Sequence, residues 1–260
     1  MNFYIYFINR IRVIIKSFLK YEKKIEQYLT YLKWKKRIKN SELTDIDFND
    51  NLDELNSNQN NHILPKKIAI CIAFYFKNEK IELLKETCST LNELGEYVDV
   101  TIVTNENNDS KINKLKNELN KILKNLNIFI TKDLQDPRLL PWCHFLIMRK
   151  KIIDNSYSHF IFLEDDIKIT KKNIVYWINA RKALKSSNLI PSFIRTEINY
   201  NDKKIYATDY IKRNNLKKLP KIFSKKNNLA FTNTTYPYQG MYLYDRELMN
   251  EHLNGPSSSP

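Results

Sequence analysis

Three consecutive carboxylates, Glu164-Asp165-Asp166, follow the apolar run His159–Leu163. Adjacent like charges repel one another and resist loss of water. A fold tolerates them best where a cation joins them. If the preceding run is a strand, alternation puts Glu164 and Asp166 on one side of the chain and Asp165 on the other. Such oxygens suit a hard divalent cation, Mg2+ or Mn2+, which leaves positions for substrate phosphates. Taken alone, the triplet reads as a solvated acidic turn, with Asp166 capping a following turn. Its place at the end of a buried strand favours the metal, with Asp166 and Glu164 as ligands.

Other phosphate chemistries lack their parts. The chain has 3 glycines in 260 residues, where average usage gives roughly eighteen. It contains neither the G-x-G-x-x-G of a dinucleotide site nor the G-x-x-x-x-G-K of a P-loop. Cys71, Cys88 and Cys143 are far apart, with no metal-ligand spacing and no disulfide framework, which points to a reducing compartment.

The elements that must position the carboxylates begin at Lys66. Ile68–Phe76 (IAICIAFYF) is a continuous apolar run, as in a strand buried on both faces. Asn78 and Glu79 open a helix with Ile81, Leu84, Cys88 and Leu91 on one face. Val98–Thr104 is a second strand, followed by a helix carrying Ile112, Leu115, Leu119 and Ile122. Leu126–Thr131 is a third strand. Pro141 starts a helix over Trp142–Asp154, and His159–Leu163 is the fourth strand, followed by a helix over Lys171–Ser186. Beyond Ile190, Ser192–Ile198, Lys204–Ala207 and Leu229–Tyr244 read as shorter strands with long loops. Strands alternating with amphipathic helices predict an α/β domain with a mostly parallel sheet and helices on both faces. Ligands of such sheets bind beyond the carboxyl ends of the strands, where the triplet sits.

The 42% hydrophobic content supports a real core, and the net charge is +14. The charge is uneven: residues 1–40 hold eleven Lys and Arg against Glu22 and Glu26, whereas residues 41–64 hold six acids and no base. Residues 3–19 place Phe3, Phe7, Ile11, Ile14 and Phe18 on one helical face, with Asn9, Arg12, Lys16 and Lys20 opposite. A spanning helix would bury Arg10, Arg12 and Lys16 at ~2.5–3.5 kcal/mol each. An amphipathic helix lying on an anionic membrane surface, through residues 1–20, avoids that cost. Packing of the same stripe on the globular domain or a second subunit is the alternative. The division expected is a basic helical arm over 1–40, an acidic Asn-rich linker over 41–64, and a catalytic domain over 65–260.

The first strand running into Asn78-Glu79, the second ending in Thr104-Asn105, and the stretch FIFLEDDIKIT together resemble the GT-A nucleotide-sugar glycosyltransferases. The acidic triplet is similar to the E-D-D version of their D-x-D motif, as in glycosyltransferase family 2 and N-acetylglucosaminyltransferase I-like enzymes. The resemblance covers roughly Lys66–Leu253. It implies a GT-A fold and transfer of a sugar from a nucleoside-diphosphate sugar to a glycan or glycolipid acceptor. It implies a divalent metal on Asp166 that bridges the donor's phosphates, with Glu164 and Asp165 on the nucleotide ribose or on metal-bound waters. Phe74, Tyr75 and Phe76 would face the base, Asn105 and Glu106 would border it, and Arg138 or Arg149 would meet a phosphate. His144 is a further candidate beside the nucleotide, while His159 simply begins its strand. Tyr238–Tyr242, with Gln239 and Gly240, resembles the acceptor-side turn. Inverting transfer needs a carboxylate base on the acceptor hydroxyl; the candidates are Glu197, Asp209 and Asp245. Asp245 reads equally as a helix cap. The chain stops 20 residues after Gly240, so a family member truncated before its base is also expected.

These readings place the protein in the cytoplasm, peripheral to the inner face of a membrane. The rivals are a nucleotidyltransferase or phosphohydrolase using the same carboxylates, an inactive GT-A-like domain, and a binding protein built on the basic arm. Nucleic acid is not the expected partner, because the body has no basic stripe interleaved with aromatics.

Overall fold

The computed structural model describes residues 64–132, 134, 136–187, 189–198, 204–207, 221–224, 229–232 and 240–255, together with 43–44 and the helical residues 25, 29 and 32. In chain order the strands are β1 (Leu43–Thr44), β2 (Lys67–Phe74), β3 (Tyr97–Thr104), β4 (Leu126–Ile130), β5 (His159–Glu164), β6 (Thr196–Ile198), β7 (Ile205–Ala207), β8 (Lys221–Ser224), β9 (Leu229–Thr232) and β10 (Met241–Asp245). The helices are α1 (Ile81–Cys88), α2 (Asp109–Asn120), α3 (His144–Ile153), α4 (Lys171–Leu184) and α5 (Arg246–Asn254).

Two compact units share the chain. The larger comprises residues 60–180, 191–195 and 238–260. It is a mixed α/β unit built on a five-stranded sheet of order β10-β5-β2-β3-β4. β5, β2, β3 and β4 run parallel, and β10 is an antiparallel edge. The reason for the long apolar run is visible in the packing. Ile68, Ile70, Ile72 and Phe74 of β2 face one way, against Leu84 of α1, Leu115 and Leu119 of α2, and Trp177 of α4. Ala69, Cys71 and Ala73 face the other way, against Phe145 and Met148 of α3 and Met249 and Leu253 of α5. A central parallel strand covered on both faces must be apolar at every position.

Local signals set the helix boundaries. Asn108 caps α2 by accepting from the Lys111 N–H at 3.2 Å, and Asp245 caps α5 by accepting from Leu248 N–H at 2.9 Å. Proline acts as the sequence predicts but on a shifted register: Pro137–Cys143 form a 3-10 segment, and the α-helix begins at His144. Gly95 sits in the turn before β3, where a Cβ would lie 2.8 Å from the Pro65 carbonyl oxygen and 3.0 Å from Ile68 Cδ1. The backbone there is pinned, since Glu96 N–H donates to the same oxygen at 3.0 Å. Gly95→Ala is expected to cost about 1–3 kcal/mol of stability, read as a lower urea midpoint.

The smaller unit comprises residues 1–59, 181–190 and 196–237. It holds a three-stranded antiparallel sheet of order β1-β8-β9 and the separate β6–β7 pair. Among the described residues, Leu184 and Ile222 form a buried apolar cluster in it, with Leu189 and Phe231 against them. Two residues expected to be linker therefore form a strand, β1, paired with β8. β8 itself falls in a lysine-rich stretch where no strand pattern is legible. Of the expected strand over Ser192–Ile198, only Thr196–Ile198 is extended and paired. The amphipathic stripe over 3–19 lies outside the described residues.

Candidate active site

Strand order places the acidic triplet. From β2 the chain proceeds outward through β3 and β4, then returns to put β5 on the other side of β2. The carboxyl ends of β2 and β5 are thus where the winding direction reverses, which is where open α/β sheets bind ligands. Glu164 ends β5 opposite Ala73 of β2. On the far side of β5 the edge strand β10 begins after Gly240, whose carbonyl accepts from the Glu164 N–H at 2.9 Å. Gly240 is buried there. The acidic motif and the glycine turn, more than 70 residues apart in sequence, meet through this one bond.

The three carboxylates separate as alternation predicts. Asp165 turns inward and is 6% exposed. Both of its carboxylate oxygens accept from Lys80 Nζ at 3.1 Å, and its carbonyl accepts from Thr87 Oγ1 at 3.0 Å. Thr90 Oγ1 donates to the Ile169 carbonyl at 2.7 Å. The turn after β5 is therefore fastened to α1 and its flanks. Burial raises the Asp165 carboxyl above its ordinary value, and Lys80 opposes that rise. Asp165, expected beside the nucleotide, is thus held in a buried ion pair with Lys80. Glu164 is half-buried and Asp166 exposed.

Along the same carboxyl edge, a cleft of about 420 Å³ opens beyond β2, β3 and β4, lined by Tyr75, Asn105, Asn107, Thr131, Lys132, Leu134 and Pro137. Asn105 is oriented: its Oδ1 accepts from the Phe76 N–H at 2.8 Å, which leaves its amide NH2 without a hydrogen-bond partner among the described residues. Thr131 follows β4 and donates through Oγ1 to the Thr104 carbonyl at 3.1 Å. The sequence signal for Thr131 and Lys132 is their position just past a parallel strand. Leu134 and Pro137 carry no such signal.

Several expected site residues are elsewhere. Phe74 is fully buried and packs edge-on against Phe76 at 5.7 Å, so it is core; β2 alternation sends Tyr75 to the cleft in its place. Glu106 spans the α2 entry, accepting from Asn107 N–H at 3.1 Å and Asn108 N–H at 3.0 Å and pairing with Lys111 at 2.8 Å. Arg138, next to the cleft-lining Pro137, is turned onto Asp136 with Nε and Nη2 bonds of 3.0 Å and 2.6 Å. Arg149 donates to the Leu253 carbonyl at 3.2 Å and binds α5 to α3, not a phosphate at the carboxyl edge. Asp245 caps α5 and pairs in register with His159, the first residue of β5. Because β10 runs antiparallel to β5, Asp245 stands at the opposite end of the sheet from Glu164, so it is not a base beside the triplet. Glu197 is exposed on β6 in the smaller unit. Gln239 and Asp209 lie outside the described residues.

His144 is buried and His159 half-buried, and loss of water around the rings drives both imidazoles down to about 4. A histidine with a depressed folded pKa binds fewer protons folded than unfolded. Its contribution is therefore complete above the unfolded value near 6.5 and is lost as pH falls toward 4. Burial lowers His252 as well, so urea unfolding midpoints should fall steeply between pH 6.5 and 4, with protons taken up by all three rings on unfolding. A flat profile there would contradict the loss of water around these rings.

Compared with known families and with curated proteins, the sequence matches none. Among solved structures, the fold is similar to residues 1–349 of S. aureus TarS, at 16% identity over 45% of this chain and 33% of that one, with a TM-score of 0.28. It is similar also to the mannosyltransferase Ktr4p from S. cerevisiae, at 12% identity over 60% of this chain and 46% of that one, with a TM-score of 0.26. The chain thus spans a third to a half of the length of these two. At such scores the description of the fold rests on its own sheet order and register.

Proposed function

We propose that this chain is a glycosyltransferase of GT-A type that moves a sugar from a nucleoside-diphosphate donor to a glycan or glycolipid acceptor. One observation carries the reading. An acidic pair stands at the reversal point of a parallel sheet, on the same edge as a cleft that offers an aromatic ring, a fixed amide donor and a lysine.

The donor set at the turn is tested by its chemistry. Glu164 and Asp166 supply hard oxygens, and Asp165 is withdrawn by Lys80. Among the described residues, no group of three or more His, Cys, Asp or Glu gathers to hold a metal. Two carboxylates at one turn are a partial ligand set of the kind that Mg2+ or Mn2+ accept, since these ions keep several waters and take substrate phosphates. Asp166 and Glu164 would hold the ion, which when bound supplies charge stabilisation for the departing diphosphate. The protein's own residues do the rest. Tyr75 offers a face for a base to stack on, and Asn105 donates its amide to a base or ribose oxygen. Lys132 neutralises phosphate or carbonyl oxygen within reach of the cleft.

Incubation with nucleoside-diphosphate sugars, Mn2+ and a glycolipid extract should release nucleoside diphosphate and label the extract. Turnover of nucleoside triphosphates with no sugar transferred would instead support a nucleotidyltransferase or phosphohydrolase.

Peripheral membrane attachment is part of the same proposal. Among the described residues no helix is long and apolar enough to cross a membrane. Ile25, Leu29 and Leu32 are helical, share one face by spacing, and are 49%, 50% and 44% exposed. They lie within the basic segment 1–40. Binding to vesicles containing anionic lipid should weaken several-fold in Leu29→Glu and at high salt. Equal binding to neutral vesicles would contradict the electrostatic part.

A further inference from the structure

On the α3–α5 face of the sheet, three rings from three different elements form a closed triangle. The His144 ring centroid lies 5.3 Å from that of Tyr242 and 6.0 Å from that of His252, and the latter two are 5.1 Å apart. His144 begins α3, Tyr242 lies on β10, and His252 sits near the end of α5. Each ring carries one buried polar atom with no hydrogen-bond partner among the described residues: His144 Nε2, Tyr242 Oη and His252 Nε2. His144 as a whole is 7% exposed. One such atom is uncommon in a folded chain, and three on neighbouring rings call for a partner that the described residues do not supply.

The donor and acceptor roles narrow what that partner is. His144 Nδ1 lies 2.5 Å from the Pro141 carbonyl oxygen. A carbonyl only accepts, so Nδ1 carries the proton and donates, leaving Nε2 as a bare lone pair. Tyr242 Oη has a proton to give. None of the three atoms hydrogen-bonds another. The surroundings are largely apolar: Phe162 lies tilted against His144 at 4.5 Å, Phe145 stacks on His252 at 4.8 Å, and Tyr244 stacks on Tyr242 at 4.4 Å, with the Cys71 thiol nearby. An ion there would be unscreened. A metal would also ask Tyr242 to ionise, and burial raises that phenol well above its ordinary value. The occupant must be small and uncharged, and must both donate and accept.

We propose that His144, Tyr242 and His252 bind one buried water molecule that donates to His144 Nε2, accepts from Tyr242 Oη and bridges to His252 Nε2. The water ties α3, β10 and α5 together. It does so two residues along β10 from Gly240, whose carbonyl holds Glu164. The three polar partners meet the requirement for an ordered internal water.

The test uses the full chain. In the wild-type protein, ring nitrogen shifts should show His144 as the Nδ1–H tautomer, and its ring protons should show a magnetisation-transfer peak to a long-lived water. Tyr242→Phe removes only the hydroxyl, and should lower Tm by about 2–4 °C. A Tm unchanged or raised by Tyr242→Phe would mean that the hydroxyl was an uncompensated burial, and the proposal would fail. Absence of the water peak overturns it equally, and that readout needs no variant. One equivalent of Zn2+ shifting the His144 resonances would assign the triangle to a metal and also overturn it.

Discussion

Asp166→Ala is expected to abolish cation-dependent binding of nucleoside diphosphates and to reduce sugar transfer by about 10²–10³-fold, the loss typical when one preorganised charge-stabilising group is removed. Asp166 is exposed at the turn, so its removal should leave Tm nearly unchanged. Asp165→Asn provides the contrast. That side chain is buried against Lys80, so its loss is expected to lower stability first and nucleotide affinity only as the turn loosens. If Asp165→Asn abolished nucleotide binding with Tm intact while Asp166→Ala did not, the two carboxylates would exchange roles. Separate measurements of Tm and affinity on each variant decide between these outcomes.

Lys151→Met is expected to cost about 3–5 kcal/mol of folding stability, the cost of leaving a buried charge without its partner. Asp99, on β3, is 6% exposed. It accepts from Lys151 Nζ, from Tyr157 Oη at 2.5 Å and from Asn127 Nδ2 at 3.0 Å. Burial pushes its carboxyl up, but the Lys151 and Tyr157 hydrogen bonds and the Lys151 charge outweigh burial and hold it below the ordinary value. A carboxyl depressed in the folded state contributes stability that is complete above its unfolded value near 3.9 and is lost as pH falls through the folded value. Lys151→Met should therefore flatten the part of the stability profile below pH 4. Chemical unfolding of the variant at pH 7 and pH 3 measures both effects. A loss under 1 kcal/mol at pH 7 would show that the network is not energetically coupled.

The parallel core was legible because a central strand must be apolar at every position, and IAICIAFYF has no other economical reading. The acidic triplet was legible for the same reason: it terminates HFIFL, and alternation alone separates Asp165 from its neighbours. What the sequence hid depends on contacts across long separations. Lys80 and Asp165 are 85 residues apart, and no local pattern announces that pair. Phe74 and Tyr75 are equally aromatic, and only the pleat decides that Phe74 is core and Tyr75 lines the cleft. Asp245 looked like a base because it comes just after the glycine turn. The antiparallel run of β10 carries it the length of β5 away from the triplet. β1 and β8 had no hydrophobic alternation to reveal them, and each is completed only by pairing with a distant segment.

The most direct measurement is calorimetric titration of nucleoside diphosphates into the chain with and without Mn2+, repeated on Asp166→Ala. The account predicts that one nucleoside diphosphate binds the wild-type chain, that binding requires Mn2+, and that Asp166→Ala loses it while remaining folded. Absence of nucleotide binding by the folded wild-type chain, or Mn2+-dependent binding retained in full by Asp166→Ala, would contradict it.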